Sequence, residues 1–154
     1  MEETGNGKEG NVFLGTYEPK LDDKGRLILP SRFRDQLSAG VVLTPGQERC
    51  IYAFPTSEFE TIYDELRQAP LTHKEARKFS RVMLSGATDQ IPDKQGRINI
   101  PANLRQYAGL NKNLKVIGAG ARAEIWDADT WDTYLSESED AFAEIAEEIV
   151  PGLL

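Results

Sequence analysis

A 13-residue segment occurs twice in this chain of 154 residues, and the second copy begins 71 residues after the first. Residues 22–34 have the sequence DDKGRLILPSRFR, and residues 93–105 have the sequence DKQGRINIPANLR. The first aspartate, the Gly-Arg pair, the proline and the last arginine are identical in the two copies, and the positions around them are largely apolar in both. Such a repeat predicts two copies of one structural unit, so neither half can be interpreted alone.

Each half shows the same succession of patterns. A strand, a glycine-containing turn and a second strand lead to a short helix at Pro30 or Pro101, since proline is well tolerated where a helix begins. Two further strands follow, at 41–43 and 50–54 in the first half and at 114–117 and 123–126 in the second. Each half then ends in a longer helix, so the succession predicts a tandem α+β repeat.

The same patterns divide the chain into five parts. The predicted parts are a disordered leader at 1–10, a first repeat at 11–70, a linking basic helix at 71–86, a second repeat at 87–136 and an acidic C-terminal helix or tail at 137–154.

The duplicated turn combines a flexible backbone position with a cation. Gly25 and Gly96 permit a tight, left-handed hairpin turn, and Asp22 and Asp93 can cap it through their side chains. One interpretation is a recurring hairpin in which the arginine is merely solvated. The other is a binding surface used twice, and the retention of basic residues in both copies favours it. Arginine is suited to base contacts because its planar fork can donate two hydrogen bonds to guanine in the major groove.

The net charge of −7 does not exclude a nucleic-acid partner, because the charge is unevenly distributed. Ten of the 25 acidic residues lie from Glu124 onward, where there is no lysine or arginine. The preceding 123 residues therefore hold 18 basic against 15 acidic residues, a net charge of +3. Contact with nucleic acid depends on the local surface and not on the total charge.

A second basic feature lies on the predicted linking helix. Its apolar side comprises Ala76, Phe79, Val82 and Met83. Its other side comprises Lys74, Arg77, Lys78 and Arg81, here called the basic stripe. The sequence leaves three roles open for the basic stripe: a solvated helix face, a second DNA contact, or a partner for the acidic terminal helix of a neighbouring protomer.

Residue usage argues against an enzyme. Cys50 is the single cysteine and His73 the single histidine, so no disulfide within the chain or Cys-based zinc site can form. No phosphate-binding glycine loop or nucleophile elbow is present, and no apolar run approaches the roughly 20 residues that span a bilayer. The sequence predicts a cytoplasmic protein with no catalytic residues, metal, cofactor or membrane association.

The duplicated segments make the chain resemble the MraZ family, bacterial transcription regulators with two SpoVT-AbrB-type repeats in one polypeptide. Residues 78–81 (KFSR) and 85–87 (SGA) also resemble the family's central segment, and the resemblance covers roughly residues 11–140. It implies swapped-hairpin β-barrel repeats, with a helix after each repeat, that form one pseudo-symmetric DNA-binding unit. It further implies a ring-shaped homo-oligomer, associated with the nucleoid, that binds tandem short repeats in the promoter of the division and cell-wall gene cluster.

The resemblance also implies roles for individual residues. The residues expected to contact DNA are Lys24, Arg26, Arg32, Arg34, Lys94 and Arg97. Arg26 and Arg97 are expected to contact bases, and the lysines are expected to contact phosphates. The second copy has Asn103 where the first has Arg32, so the second copy is expected to depend less on charged contacts with the DNA phosphate backbone.

Two alternatives to a promoter-binding regulator remain open. A ring-forming protein-interaction scaffold would show no salt-dependent affinity for any duplex. An antitoxin-like DNA-binding protein would bind a small toxin through a disordered tail. The periodic apolar pattern of the C-terminal segment and the presence of two repeats argue against the antitoxin.

Overall fold

The structure, a computed structural model, describes residues 12–70 and 72–149, so the predicted leader at 1–10 lies outside the described residues. The strands are β1 (Thr16–Tyr17), β2 (Arg26–Ile28), β3 (Val41–Pro45), β4 (Ile51–Pro55), β5 (Thr88–Gln90), β6 (Arg97–Asn99), β7 (Leu114–Gly118) and β8 (Ala123–Asp127). The helices are α1 (Ser31–Leu37), α2 (Thr56–Arg67), α3 (Lys74–Ser85), α4 (Ala102–Tyr107) and α5 (Ala128–Ile149). The predicted α+β class is confirmed.

The two halves of the chain share one antiparallel sheet. Its strand order is β1-β7-β8-β4-β3-β5, so three strands from each half are arranged symmetrically about the β8–β4 pair. The exchange is reciprocal: β1 of the first half pairs with β7 of the second, and β5 of the second half pairs with β3 of the first. Each half therefore completes its sheet with a strand from the other.

A second, two-stranded sheet joins the halves at their centre. Strands β2 and β6, which follow the duplicated turns, pair antiparallel with Leu27 opposite Ile98. The sequence predicts a hairpin at each turn, and the chain reverses there, but the two strands that flank a turn do not form a ladder with each other. The strand after each turn pairs with its counterpart from the other repeat instead, because that pairing buries Leu27 and Ile98 to 1% exposure each.

The four inner strands of the six-stranded sheet are largely buried on both faces. Along β4, Ile51 and Ala53 face the main core, whereas Tyr52 and Phe54 face a second apolar cluster, as the period-two geometry of a strand requires. The main core includes residues of both repeats, among them Leu29 and Phe33 of the first and Ile100 and Leu104 of the second. The second cluster lies under α2, α3 and α5, here called the outer helices. The halves are consequently one packing unit.

The outer helices leave apolar side chains in solvent. On α3 only Met83 is buried, whereas Phe79 and Val82 of the predicted apolar side are exposed. Leu135 and Phe142 are exposed on α5. A surface helix normally covers its apolar stripe against the core, whereas α3 and α5 each leave apolar side chains exposed beside charged ones.

The connection between β3 and β4 holds two residues in the left-handed region. Glu48 has φ +61° and Arg49 has φ +63°. A left-handed backbone costs a side-chain-bearing residue about 1–2 kcal/mol, which glycine avoids. We therefore expect Glu48→Gly to raise the free energy of unfolding by about 0.5–1 kcal/mol in chemical denaturation, after the extra flexibility of the unfolded chain is subtracted.

Arg49→Gly is the matched control. The Arg49 guanidinium lies 4.8 Å from the centre of the Tyr107 ring, so its removal also loses a cation–π contact. The control should gain less stability than Glu48→Gly. Destabilisation by Glu48→Gly would contradict this account of the connection.

Candidate nucleic-acid interface

The first duplicated turn is organised by the carboxylate of Asp22. Its Oδ1 accepts hydrogen bonds from the backbone N–H groups of Lys24 and Arg26, both at 2.9 Å. Its Oδ2 accepts a hydrogen bond from the Nε–H of Arg26, also at 2.9 Å. Gly25 has φ +79°, a conformation that side chains disfavour, and its N–H donates to the Asp22 carbonyl at 3.0 Å. These contacts close the turn between Asp22 and Arg26.

The second turn repeats this arrangement. Asp93 Oδ1 accepts from the backbone N–H groups of Gln95 at 2.9 Å and Arg97 at 2.8 Å. Asp93 Oδ2 accepts from Arg97 Nε at 2.7 Å, and Gly96 has φ +78°. The aspartate in each copy therefore both closes the turn and holds the arginine side chain.

Holding the arginine at Nε has a chemical consequence. In both turns the aspartate carboxylate accepts a hydrogen bond from the Nε–H of the arginine. Among the described residues, the Nη groups of Arg26 and Arg97 have no hydrogen-bond or ion-pair partner. These groups can donate to an external acceptor. Because the side chain is already ordered, binding such an acceptor costs less conformational entropy than it would for a freely rotating arginine.

The turn aspartates are held in their charged form. The pKa of Asp22 lies below its usual value of 3.8, chiefly because its carboxylate accepts the backbone N–H of Arg26, with the Arg26 side chain adding to the effect. The pKa of Asp93 is lowered in the same way by the backbone and side chain of Arg97. Hydrogen bonds to the charged form favour ionisation.

Acid should therefore loosen both turns. A carboxylate with a lowered pKa in the folded state stabilises the fold above its unfolded pKa, and that contribution disappears as the pH falls through the lowered value. We compare the free energy of unfolding of the wild type with that of the double variant Asp22→Asn/Asp93→Asn. The difference in favour of the wild type should be full near neutral pH and should shrink below pH 3.8, the ordinary pKa of aspartate. Denaturant unfolding across an acid pH series measures it. An advantage independent of pH would contradict the role of the charged carboxylates.

The pairing of β2 with β6 brings the two arginines onto one surface. Arg26 lies opposite Asn99, and Arg97 lies opposite Ile28. Along the two strands, these four residues alternate with the buried Leu27–Ile98 pair, so all four project away from the core. This side of the two-stranded β2/β6 ribbon is here called the outer face. Residues in such a diagonal relation are about 7–8 Å apart. The structure therefore unites two arginines that are 71 positions apart in sequence.

Each turn is also supported by the other repeat. The carbonyl of Gly96 accepts the N–H of Leu29 at 2.8 Å, and the carbonyl of Gly25 accepts the N–H of Ile100 at 2.8 Å. An added Cβ at Gly96 would lie 2.6 Å from Nε of Arg34 in the first repeat. Arg105 of the second repeat occupies the equivalent place against Gly25. Each turn, with the arginine that it holds, is therefore hydrogen-bonded to and packed against the other repeat.

The other predicted DNA-binding residues lie around these turns. Lys24 and Lys94 are exposed at the turns, and Arg32 is exposed on α1. No ion pair to these three occurs within residues 12–70 and 72–149. Arg34 differs, because its Nε–H donates to the carbonyl of Leu29 at 3.0 Å.

Sequence reasoning did not identify the supporting role of Arg105. The signal was available, since Arg34 and Arg105 occupy the same place in the two copies, but nothing in the sequence shows that each packs on the opposite turn. Gln90 was also missed, and its amide hydrogen-bonds both the N–H and the carbonyl of Asn99 at 2.8 Å. The repeat offers no signal for this contact, because Pro19 occupies the matching place.

The described residues show no other chemical centre. Among them no group of three or more His, Cys, Asp or Glu side chains could hold a metal ion. Cys50 is buried, and burial raises the pKa of its thiol far above the usual value. Within the same residues no helix combines the length and apolar character that crossing a membrane requires.

Comparison with known proteins agrees with the internal duplication. The family described as "MraZ protein, putative antitoxin-like" matches this chain twice, at residues 12–82 and 83–151. The Transcriptional regulator MraZ of Kineococcus radiotolerans is 62% identical over 143 residues, covering 93% of this chain and 100% of the relative. The protein of that name from Clavibacter michiganensis subsp. michiganensis is 63% identical over 142 residues, covering 92% and 99%. The one from Salinispora tropica is 61% identical over 142 residues, covering 92% and 100%. This chain belongs to the MraZ family.

Proposed function

We propose that this protein is a sequence-specific transcriptional regulator that binds double-stranded DNA through the outer face of the β2/β6 ribbon. Its relatives carry the name of a transcriptional regulator and not of an enzyme. The observation that supports the mode of binding is the placement of Arg26 and Arg97 on one face, each held at Nε by a turn aspartate. Two ordered arginine forks at this spacing can donate to guanines in one major groove.

The dimensions of the ribbon suit this role. Neighbouring strands lie about 4.7–4.9 Å apart, and the major groove is about 12 Å wide, so a two-stranded ribbon enters it with its side chains. The opposite face of the ribbon is anchored by Leu27 and Ile98 in the core. The anchoring keeps the arginines in place as the protein approaches DNA.

Phosphate contacts are assigned to the basic residues beside the turns. Lys24 and Lys94 flank the ribbon, with Arg32 and Arg34 on the following helix adding to the first repeat. Lysine serves as a point charge toward phosphate, whereas arginine can contact bases in a bidentate manner. Asn103 in the second repeat gives that side fewer cations, so binding should depend more on Arg97 there.

Several finer features of the proposal come from the family resemblance. The reciprocal pairing of β1 with β7 and β5 with β3 supports two swapped hairpins forming one β-barrel unit. The five-part division of the chain at 10, 70, 86 and 136 belongs to the same proposal. The target is proposed to be tandem short repeats in the promoter of the division and cell-wall gene cluster, which places the protein in the cytoplasm at the nucleoid.

We also propose assembly into a ring-shaped homo-oligomer. The basic stripe of α3 lies beside exposed Phe79 and Val82, and the acidic helix α5 exposes Leu135 and Phe142. These complementary surfaces support head-to-tail contact between neighbouring protomers. A ring raises affinity for tandem sites, because one bound unit places the next unit near its site. Sedimentation at the mass of one protomer would contradict the ring.

The test of the function is binding to the DNA upstream of the protein's own gene, compared with an unrelated duplex of equal length. The four residues assigned to phosphates are Lys24, Lys94, Arg32 and Arg34. Because each phosphate contact releases condensed counterions, four contacts predict that affinity falls about 100-fold between 50 and 200 mM salt. We expect preference for the upstream duplex together with this salt dependence. Equal and salt-independent affinity for both duplexes would contradict the proposal and favour a protein-interaction scaffold.

An antitoxin-like function is the second candidate, because the description of the matching family includes the words "antitoxin-like". It requires DNA binding together with a toxin partner at the C-terminal part. Helix α5 is continuous from Ala128 to Ile149, whereas a toxin-binding tail is expected to be disordered. A small protein that co-purifies with this chain at a fixed ratio would support the antitoxin.

A further inference from the structure

The outer face departs from the two-fold symmetry of the repeats at one pair of positions. The symmetry that exchanges Arg26 with Arg97 also exchanges Ile28 with Asn99. One end of the face therefore combines an arginine with an amide, and the other combines an arginine with a branched apolar side chain. This difference lies where the proposed function places the base contacts, so the inference rests on that function.

Ile28 is an exposed apolar residue within a polar surface. It is 49% exposed although its neighbours Leu27 and Leu29 are buried at 1% and 2%. Because successive side chains of a strand point to opposite faces, Ile28 points away from the core, beside Arg97 on the neighbouring strand. Among base edges in the major groove, the apolar group available to such a side chain is the methyl group of thymine.

Asn99 carries a side-chain amide at the equivalent place. The Gln90 amide fixes its backbone through two hydrogen bonds, so the position of the residue is well defined. Its side-chain amide has no hydrogen-bond partner within the part of the chain that the structure describes. An amide of this kind can pair with adenine in a bidentate manner, donating to N7 and accepting from the N6 amino group.

We propose that Ile28 and Asn99 are specificity-determining residues and that they make the base sequence contacted by one chain non-palindromic. A thymine lies against Ile28 at the Arg97 end, and an adenine lies against Asn99 at the Arg26 end. The two arginines supply similar guanine contacts at both ends. The difference between Ile28 and Asn99 then sets the orientation in which the pseudo-symmetric ribbon lies along the groove.

The experiment is selection of bound duplexes from a library with a randomised central segment, followed by sequencing. The full chain is compared with Ile28→Asn, which gives the outer face two amides, and with Asn99→Ile, which gives it two apolar residues. Both positions are exposed, so the variants should keep the wild-type melting temperature. Leu14→Asn, in the segment before β1, makes the same kind of apolar-to-amide change at another exposed position and is the matched control.

The wild type and Leu14→Asn should select the same non-palindromic motif. Ile28→Asn should lose its preference for thymine and gain adenine there, so that the motif becomes more nearly palindromic. Asn99→Ile should lose the adenine preference, which we expect to be about 5- to 150-fold in affinity.

Two failures can be distinguished. If the wild type selects a motif and both variants select the same motif, the specificity role is wrong and the proposed function stands. If the wild type enriches no motif, the proposed function fails and this inference fails with it. A palindromic wild-type motif would also overturn the inference.

Discussion

Replacement of Arg26 or Arg97 with alanine is expected to weaken binding to the specific duplex by about 1–3 kcal/mol in each case, or about 5- to 150-fold. Each guanidinium is held by its turn aspartate and directed from the outer face, so its loss removes an ordered donor pair. Affinity for unrelated DNA should fall less, because the phosphate contacts remain. Titration of both duplexes with each variant at one fixed salt concentration measures the difference.

The controls separate charge from geometry. Arg26→Lys keeps the positive charge but lacks the planar fork, so it should retain non-specific affinity and lose most of the preference. Arg67→Ala removes an exposed arginine from α2, where it pairs with Asp64 at 3.6 Å, and should leave DNA binding unchanged. If Arg26→Ala and Arg97→Ala bind as tightly and as selectively as Arg67→Ala, the assignment of base contacts is wrong.

Leu27→Ala is expected to lower the free energy of unfolding by about 2–5 kcal/mol, the range for deleting most of a fully buried leucine. Leu27 is 1% exposed and lies opposite Ile98 where the two repeats join. The packing around it comes from both halves, which limits how far one side can relax into the cavity. Urea unfolding followed by circular dichroism measures the change.

Ile28→Ala provides the matched control one residue away. Ile28 is exposed on the opposite face of the same strand, so its truncation should change stability by no more than about 0.5 kcal/mol. The pair of variants tests the alternation of the ribbon directly. Similar destabilisation by both, or a larger effect of Ile28→Ala, would show that the ribbon does not pack as described.

Much of the fold could be predicted from the sequence, because the duplicated segment and the apolar periodicities are local. The strands expected at 41–43 and 114–117 are present within β3 and β7, and the short helices expected at Pro30 and Pro101 are present as α1 and α4. The capping role of Asp22 and Asp93 was equally predictable, since an aspartate three residues before a turn glycine has the backbone N–H groups within reach.

The pairing of strands could not be predicted in this way. A hairpin is the expected outcome for two strands joined by a tight turn, yet β2 pairs with β6 across a long stretch of sequence. Burial of Leu27 and Ile98 on one side decides this pairing, and that is a property of the assembled core. The family resemblance implies one binding unit for both repeats, but the diagonal placement of Arg26 and Arg97 on the outer face follows from the β2–β6 pairing, which local patterns do not reveal.

The apolar side predicted for α3 shows a different limit. Periodicity identifies Phe79 and Val82 as one face of the helix, but both are exposed. A periodic pattern marks which residues share a face and not what covers that face.

The central claim, that both turns of one chain face the same duplex, is tested most directly by amide hydrogen exchange of the full chain with and without its upstream DNA. We expect slower exchange on binding in both 22–28 and 93–99, with 56–67 unchanged as an internal reference. Protection confined to 74–85 would instead assign DNA binding to the basic stripe, and protection of only one turn would contradict the shared outer face.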